Sequence, residues 1–331
     1  MRLAADPGRV AVGHLAALVS RGDVPSLAYA VVRDAVVELG GFGGAGPQTI
    51  FEIGSVTKVF TALLLADMAE RGQVRLADPA ASYLPDGTGL PDRTGQVTLA
   101  DLATHTSGLP RLPPGLLWSA LARPRDPYAR YPAERFVRVA RRSLRRARPP
   151  RPYAYSNYGY GLLGYLLGQA AGSAYEALVT ERICAPLGLD DTTFEVPAAD
   201  FGRKAQGHAR RRAVPDWHMG VLAAAGGLHS TAADLAALLR ACLAPAATPL
   251  DGAIRAAVRP HASIPSGQIG LAWHRARPPD STIIWHNGMT GGFSAMIAFD
   301  PARCLGVAAL ANSAGVRPSP LDAAVFQALH R

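Results

Sequence analysis

The 331-residue sequence has few lysines and few cysteines for its length. Its 34 basic residues include only two lysines, Lys58 and Lys204. Lysine can lose its proton when buried and arginine cannot, so each lysine is a candidate for acid–base chemistry. The three cysteines, Cys184, Cys242 and Cys304, are widely spaced and odd in number. This argues against a disulfide framework or a paired-cysteine metal site, and favours free thiols in or near the core.

Long apolar runs are missing as well. No run reaches the roughly 18 residues that a membrane-spanning helix needs. The stretch Val10–Ser20 follows Asp6, lacks a small-residue cleavage site and has apolar residues at helical spacing. We interpret it as an amphipathic first helix rather than a signal peptide, and therefore expect a cytoplasmic protein. With 49% apolar and 18% charged residues, the composition excludes a disordered or fibrous chain.

The signatures of several enzyme classes do not occur. There is no G-x-S-x-G and no H-E-x-x-H, and the nine histidines follow no ligand spacing. Residues 41–46 match G-x-G-x-x-G, but Pro47 and Gln48 lead into an extended segment. A dinucleotide site requires a helix at that point. We therefore expect no metal and no cofactor.

Strand-like segments lie near both ends of the chain, and helical segments lie between them. The predicted strands are Ser26–Arg33, Val36–Leu39, Ile269–His274, Ile283–His286, Ser294–Phe299 and Leu305–Ala311. The predicted helices include Ser55–Arg71, Gly159–Ala171, Ala174–Ile183, Thr231–Leu243 and one from Pro320. This order predicts an α/β (α+β) protein with one sheet built from both termini. Residues 1–75 with 265–331 would form the sheet domain, and residues 76–264 a mostly helical domain.

The strongest chemical signal is Ser55-Val56-Thr57-Lys58. Residues three apart share one face of a helix, so Ser55 and Lys58 are expected to meet. A hydroxyl needs a base to become a good nucleophile. Apolar neighbours such as Phe51 and Phe60 would desolvate the amine and lower its pKa, which fits it for that task. The motif alone also occurs by chance, with a capping serine and an exposed lysine.

Two further motifs are weaker when taken singly. In Tyr155-Ser156-Asn157, alternate side chains of an extended segment would face one site. A phenol near a lysine would have a lowered pKa and relay protons, although Asn157 alone reads as a helix cap. In His286-Asn287-Gly288, the histidine could bind a carboxylate or relay a proton, and the glycine would let a substrate lie against the strand edge.

In this order the three motifs resemble those of the serine β-lactamase and penicillin-binding-protein superfamily. The detail is similar to the branch of class C β-lactamases, DD-peptidases and esterases. Residues 51–58 (FEIGSVTK), 102–110 (LATHTSGLP) and 226–235 (GGLHSTAADL) support the resemblance, which extends from residue 10 to the C-terminus. It implies a β-lactamase/transpeptidase-like fold, an antiparallel sheet flanked by helices, with the site between the sheet and a mostly helical domain.

The resemblance also implies roles for individual residues. Ser55 would be the acylated nucleophile, and Lys58 and Tyr155 would share the general base and acid work. Asn157 would orient the substrate amide or ester. The backbone N–H groups of Ser55 and Met289 would form the oxyanion hole, next to the substrate-contacting Gly288.

His286 is a departure, because the family often has lysine at this position. The loss of a permanent charge and the expected lack of a signal peptide argue against a dedicated resistance enzyme. We therefore predict a serine hydrolase that forms an acyl-enzyme on Ser55 with esters or amides, including D-amino-acid peptides. An acyltransferase, a DD-peptidase or a β-lactamase proper remain alternatives. The partner would be a small-molecule or peptide substrate; the sequence leaves the oligomeric state open.

The stretch Arg135–Arg151 contains eight arginines. Apolar residues fall between them at helical spacing, which predicts an amphipathic helix with a basic outer face. In a chain rich in arginine, such a face is most simply a solvated surface. A rival hypothesis is a non-catalytic protein that binds an acidic partner through this face. No nucleic-acid-binding module accompanies it, so we expect no nucleic-acid partner.

Overall fold

The computed structural model describes residues 7–85, 96–116, 126–129, 131–147, 149, 151–278, 281–314 and 319–330. The α-helices of these residues include Pro7–Ser20 (α1), Thr57–Glu70 (α2), Leu99–Ala103 (α3), Ala133–Arg146 (α4), Asn157–Ala171 (α5), Tyr175–Val179 (α6), Ala185–Leu187 (α7), Ala223–Gly226 (α8), Ala232–Leu243 (α9), Asp251–Val258 (α10) and Pro320–Leu329 (α11). The strands are Leu27–Arg33 (β1), Val36–Phe42 (β2), Phe51–Glu52 (β3), His208–Ala209 (β4), Arg212–Ala213 (β5), His229–Ser230 (β6), Ala262–Ile264 (β7), Gly267–Ile269 (β8), His274–Ala276 (β9), Ile283–Met289 (β10), Ser294–Asp300 (β11), Leu305–Ala311 (β12) and Ser313–Ala314 (β13).

Eight strands form the main sheet, in the order β2-β1-β12-β11-β10-β9-β8-β7. Every neighbouring pair is antiparallel. The N-terminal hairpin joins the C-terminal strands through β1 and β12, with Leu27 opposite Ala311 and Arg33 opposite Leu305. The sheet is therefore built from both ends of the chain, as the sequence predicts.

Both faces of this sheet are covered by helices. Leu27, Tyr29 and Val31 pack with α1 and α11 on one face. Ala28 and Ala30 point to the opposite face, where α9 packs on β1 and β12. Because both faces are buried, β1 has an almost continuous apolar sequence instead of an alternating one.

The predicted strand Ile269–His274 is wrong. β8 ends at Ile269 and β9 begins at His274, and the backbone turns between them. Leu271 N–H donates to the carbonyl of Ala257, and Ala272 N–H donates to that of Ala103. The apolar run is buried because this turn packs into the core, a reason that periodicity cannot distinguish from a strand.

Other elements differ from the prediction mainly at their ends. The helix predicted over Ala174–Ile183 ends at Val179 and continues as a π-helical turn, Thr180–Cys184. β10 extends past His286 to Met289. The arginine helix ends at Arg146, because the chain becomes extended ahead of the prolines that follow.

The division of the chain into two domains stays a prediction. β7 lies before residue 265 yet belongs to the main sheet, and α9 packs on that sheet. The three cysteines are free, as expected, although Cys304 is exposed. Among the residues described, no helix combines the length and apolar character needed to cross a membrane.

Glycines on one face of α5 allow α8 to approach closely. A Cβ atom added at Gly164 would lie 2.2 Å from the Cβ of Ala224, and one at Gly161 would lie 2.4 Å from the side chain of Leu222. Side chains larger than hydrogen at these positions would push α8 away. The position of α8 matters because the carbonyl of Ala225 contacts the side chain of Lys58.

We predict that Gly164→Ala lowers the free energy of unfolding by about 1–3 kcal/mol, through overpacking against α8. Gly13→Ala is the matched control, because Gly13 is exposed in α1 and an added Cβ would meet nothing within 4 Å. It should raise the free energy of unfolding by about 0.5–1 kcal/mol. Urea denaturation measures both. Equal changes in the two variants would contradict the close contact of α5 with α8.

Candidate active site

Ser55 lies on a short 3-10 turn, Gly54–Val56, that leads into α2. Gly54 has a left-handed backbone (φ +49°), and an added Cβ would lie 2.7 Å from the nitrogen of Met289. Glycine is needed here for both reasons. The turn leaves Ser55 partly exposed while its neighbours, including Lys58, are buried.

The amine of Lys58 is fully buried and has three polar neighbours. Its Nζ lies 3.0 Å from Ser55 Oγ, 2.9 Å from Asn157 Oδ1 and 2.5 Å from the carbonyl oxygen of Ala225. No carboxylate pairs with it among the residues described. Burial, with a smaller contribution from the positive charge of Arg111, lowers the pKa of Lys58 well below its ordinary value.

These neighbours fix how a neutral amine would be oriented. A neutral amine has two N–H donors and one lone pair, whereas an ammonium has three donors and no lone pair. The oxygens of Asn157 and Ala225 can only accept. The lone pair then faces Ser55, whose O–H donates to it. The site is therefore arranged for transfer of the Ser55 proton to Lys58.

Asn157 is free for this contact because its neighbour caps the helix. The Ser156 hydroxyl accepts the N–H of Gly159 at 2.8 Å, as the N-cap of α5. Asn157 becomes the first residue of α5, and its side chain faces the cleft. The interpretation of Asn157 as a simple cap is thus wrong.

Tyr155 lies between Lys58 and His105. Nζ of Lys58 is 4.9 Å from the centre of the Tyr155 ring, and the His105 ring is 4.4 Å from it. Burial raises the pKa of Tyr155, and a hydrogen bond with Ser55 offsets this only in part. The predicted lowering of this pKa is wrong, because the effect of burial on the phenol outweighs the effects that lower its pKa. Tyr155 is therefore protonated and can act as a proton donor in the cleft that Ser55 also lines.

His105 holds the segment that carries Tyr155. It is fully buried, and its Nδ1 accepts the N–H of Ser156 at 3.0 Å. Its backbone carbonyl accepts the N–H of Ala154 at 2.9 Å. Burial lowers the pKa of His105, so it stays neutral. It belongs to the LATHTSGLP stretch, but that motif alone gave no sign of its role.

Gly288 lies where β10 crosses the turn that carries Ser55. A Cβ added at Gly288 would be 2.0 Å from the carbonyl oxygen of Ile53 and 3.0 Å from the nitrogen of Ser55. The glycine thus makes room for the protein's own backbone, not only for a substrate as predicted. It brings the backbone nitrogens of Ser55 and Met289, predicted as the oxyanion hole, onto adjacent segments at the cleft.

His286 is placed differently from the prediction that it contacts substrate. It is fully buried, it does not line the cleft, and its Nδ1 lies 2.7 Å from the carbonyl oxygen of Asn287. Burial, together with neighbouring His274 and Lys58, lowers the pKa of His286. A neutral histidine below the cleft surface supplies no positive charge for a carboxylate.

A cleft of about 450 Å³ opens over Ser55. Its lining contains predicted residues and several that sequence reasoning missed. The missed side chains are Arg111, Tyr128, Tyr153, Trp217, His274, Asn287, Thr290, Ser319 and Asp322. The sequence predicts that the loop Arg111–Pro132 lines the site but assigns no role to any residue in it. Arg111 and Tyr128 of this loop line the cleft, and residues 117–125 and 130 lie outside the described ones. Within the described ranges, no group of three or more His, Cys, Asp or Glu side chains is placed to hold a metal ion.

Glu52 lies behind the cleft and is only 3% exposed. It accepts the backbone N–H of Trp217 at 2.8 Å and lies near Thr290. Burial raises its pKa to about 7, against the smaller opposing effects of these polar neighbours. Trp217 and Thr290 both line the cleft, so deprotonation of Glu52 places a negative charge directly behind the cleft wall.

The chain is similar in sequence and in structure to several known proteins. The family model described as beta-lactamase matches residues 12–330. A beta-lactamase of Pseudomonas fluorescens is 28% identical over 89% of this chain and 90% of its own length. The D-alanyl-D-alanine-carboxypeptidase/endopeptidase AmpH of Escherichia coli strain K12 is 35% identical over 57% of this chain and 47% of its own length. The class C beta lactamase structure from Rhodobacter sphaeroides has a TM-score of 0.83 and 27% identity, covering 97% of this chain and 99% of that one.

Replacing Glu52 tests its raised pKa. Because the pKa is higher in the folded protein than in the unfolded chain, the stability that protonated Glu52 contributes is complete below pH 4.5 and is lost as the pH rises through about 7. We expect Glu52→Gln to gain about 2–3 kcal/mol of unfolding free energy relative to wild type between pH 5 and pH 8. Urea denaturation at both values measures this, with Glu195→Gln as the matched control for loss of one carboxylate. A constant difference between Glu52→Gln and wild type would contradict the assignment.

Proposed function

The chain belongs to the beta-lactamase family, and from this premise we propose that it hydrolyses esters or amides through an acyl-enzyme on Ser55. The family match confirms the resemblance seen in the sequence and the class of serine hydrolase. The structural similarity confirms the predicted antiparallel sheet flanked by helices. The roles of individual residues are our proposal.

One observation carries the proposal, namely the contact of Ser55 Oγ with a buried amine whose other two neighbours are acceptors. In the acylation step, Ser55 Oγ bonds to the substrate carbonyl carbon and its proton passes to Lys58. The oxyanion that forms is stabilised by the N–H groups of Ser55 and Met289. The bond to the leaving group then breaks, and the leaving group takes up one proton.

Tyr155 is suited to deliver that proton. It is protonated, and it contacts Ser55 Oγ, the atom next to the departing group. Tyr155 gives its proton to the leaving group and is reprotonated by the ammonium of Lys58, which returns both residues to their resting states. In deacylation, water replaces the leaving group and the same proton transfers run in reverse.

Asn157 has two tasks in this proposal. Its Oδ1 holds the amine of Lys58 at 2.9 Å, which directs the lone pair toward Ser55. Its NH2 group has two N–H donors: one is placed for the hydroxyl of Tyr128, and the other can donate to a substrate carbonyl in the cleft.

The relatives support more than one substrate class. AmpH is named as a carboxypeptidase and endopeptidase for D-alanyl-D-alanine, which supports peptide amides as substrates. Other relatives are named beta-lactamases. Transfer to an acceptor other than water would use the same acyl-enzyme. The rival binding-protein hypothesis rests on the basic face of α4, which does not line the cleft among the residues described.

Acylation of Ser55 can be read directly as a change in protein mass. We expect wild-type protein incubated with a penicillin to gain the mass of one penicilloyl group or to hydrolyse the drug, and Ser55→Ala to do neither. Intact-protein mass spectrometry and drug absorbance in the same tube measure the two results. If Ser55→Ala hydrolyses the drug as fast as wild type, Ser55 is not the nucleophile. If the drug is inert to wild type, the same comparison is made with p-nitrophenyl esters.

The role of Lys58 as the base predicts a specific effect of arginine. Lys58→Arg should lower kcat/KM by about 10²-fold or more, because guanidinium does not give up its proton. Lys204→Arg is the matched control, since it keeps the charge that pairs with Asp216. In wild type, kcat/KM should rise with pH through a Lys58 pKa well below 10.5. Near-normal rates in Lys58→Arg would rule out this proton transfer.

A further inference from the structure

The described lining of the cleft contains one carboxylate, Asp322, which accepts the side-chain N–H of Asn287, and few groups that could carry a positive charge. Burial lowers the pKa of His274 to about 4, so this residue is neutral at neutral pH. Lys58 and His286 are buried below the surface, and their pKa values are also lowered. Of the described residues that line the cleft, Arg111 is the one with a permanent positive charge.

The backbone of Arg111 is anchored to the start of α5. Its carbonyl oxygen accepts the N–H of Asn157 at 3.0 Å and that of Tyr158 at 3.2 Å. These bonds join Arg111 to the residue that holds the Lys58 amine. The position of the arginine relative to the reacting centre is therefore set by main-chain contacts.

The guanidinium group of Arg111 lies over the Tyr155 ring, with Cζ 5.2 Å from the ring centre. It forms no ion pair with a carboxylate among the described parts of the chain. Its side chain is exposed to the cleft, and guanidinium has five N–H donors that suit a carboxylate. A cation placed beside Ser55 with no internal partner is available to a ligand.

Two observations indicate a role for Arg111. The position where a lysine charge was expected, His286, is neutral and buried. In the lining of the cleft, Arg111 supplies a charge that the proposed proton transfers do not use. Lys58 Nζ lies 4.9 Å and Arg111 Cζ lies 5.2 Å from the centre of the Tyr155 ring. The charge of Arg111 is close enough to lower the pKa of Lys58.

We infer that Arg111 determines specificity by binding a carboxylate of the substrate on the Tyr155 side of the scissile bond. This inference rests on the proposed hydrolase function. The natural substrates are then anionic esters or amides rather than neutral ones. Because the guanidinium is solvent-exposed, the preference is moderate, about tenfold in kcat/KM over a neutral substrate of the same shape.

The test compares matched substrates with wild type, Arg111→Gln and Arg151→Gln. One pair is the mono-p-nitrophenyl ester of glutaric acid and its neutral methyl ester, with the charge in the acyl part. A second pair is 3-(butanoyloxy)benzoate and phenyl butanoate, with the charge in the leaving group. Arg151→Gln is the control for net charge, because its side chain lies near Gly108 and does not line the cleft. Rates are compared on the plateau of each pH profile.

We expect wild type and Arg151→Gln to prefer the anionic member of at least one pair by about tenfold, and Arg111→Gln to lose this preference. The result is the ratio of the two rates within each protein, so a change in the overall activity of Arg111→Gln is not counted as a loss of preference. The inference is overturned if Arg111→Gln keeps the preference, or if wild type has none in either pair.

Arg111→Gln should also move the acidic limb of kcat/KM for the neutral ester to higher pH. The arginine lowers the pKa of Lys58, so its removal raises that pKa. A purely structural role of Arg111 would not move this limb in that direction.

Binding to Ser55→Ala separates failure of the inference from failure of the proposed function. If wild type acts on neither a penicillin nor any of the esters, the proposed function fails, and calorimetry with the glutarate monoester still reports on Arg111. Tighter binding of the anionic ester than of the neutral one, lost in Ser55→Ala/Arg111→Gln, supports the inference. Equal binding of both esters to Ser55→Ala contradicts it.

Discussion

A lysine amine that is removed from water and given no carboxylate is forced toward its neutral form, because an unpaired buried charge costs several kcal/mol. Lys58 is in this environment: fully buried, with acceptor oxygens on two sides and a hydroxyl on the third. The same burial that would be a defect elsewhere creates a base next to Ser55. Burial also raises the pKa of Tyr155 and keeps its hydroxyl protonated. The same buried environment therefore favours a neutral base at Lys58 and a neutral acid at Tyr155.

Contacts elsewhere in the fold hold the oxygen atoms of Asn157, Ala225 and Ser55 around the Lys58 amine. The glycine face of α5 lets α8 approach, which brings the carbonyl of Ala225 to the amine. The cap formed by Ser156 leaves the Asn157 side chain free. Gly288 lets β10 run against the backbone at Ser55, so that the sheet and the helical segments meet at the nucleophile. These close contacts leave no room for an added side-chain atom, so the elements around Ser55 pack in fixed positions.

The sequence predicted the residues whose spacing follows from one element or one motif. Ser55 and Lys58 are three apart at the start of a helix, and the structure brings them together. Whether His286 reaches the cleft depends on how deeply β10 is buried, and no local sequence pattern shows that depth. Arg111 was one arginine among many in an arginine-rich chain, and only the fold places it over Tyr155. The turn after Ile269 was missed because a buried turn and a buried strand are equally apolar.

The most direct test of this account is the protonation state of Lys58 in the resting protein. Because the chain has two lysines, NMR of protein labelled with 13C at the lysine Cε carbons gives two signals, and Lys204→Arg assigns them. We expect the Lys58 signal to change to the chemical shift of a neutral amine well below pH 10.5. A Lys58 amine that stays protonated up to pH 10 would contradict the account, because Ser55 would then lack its base.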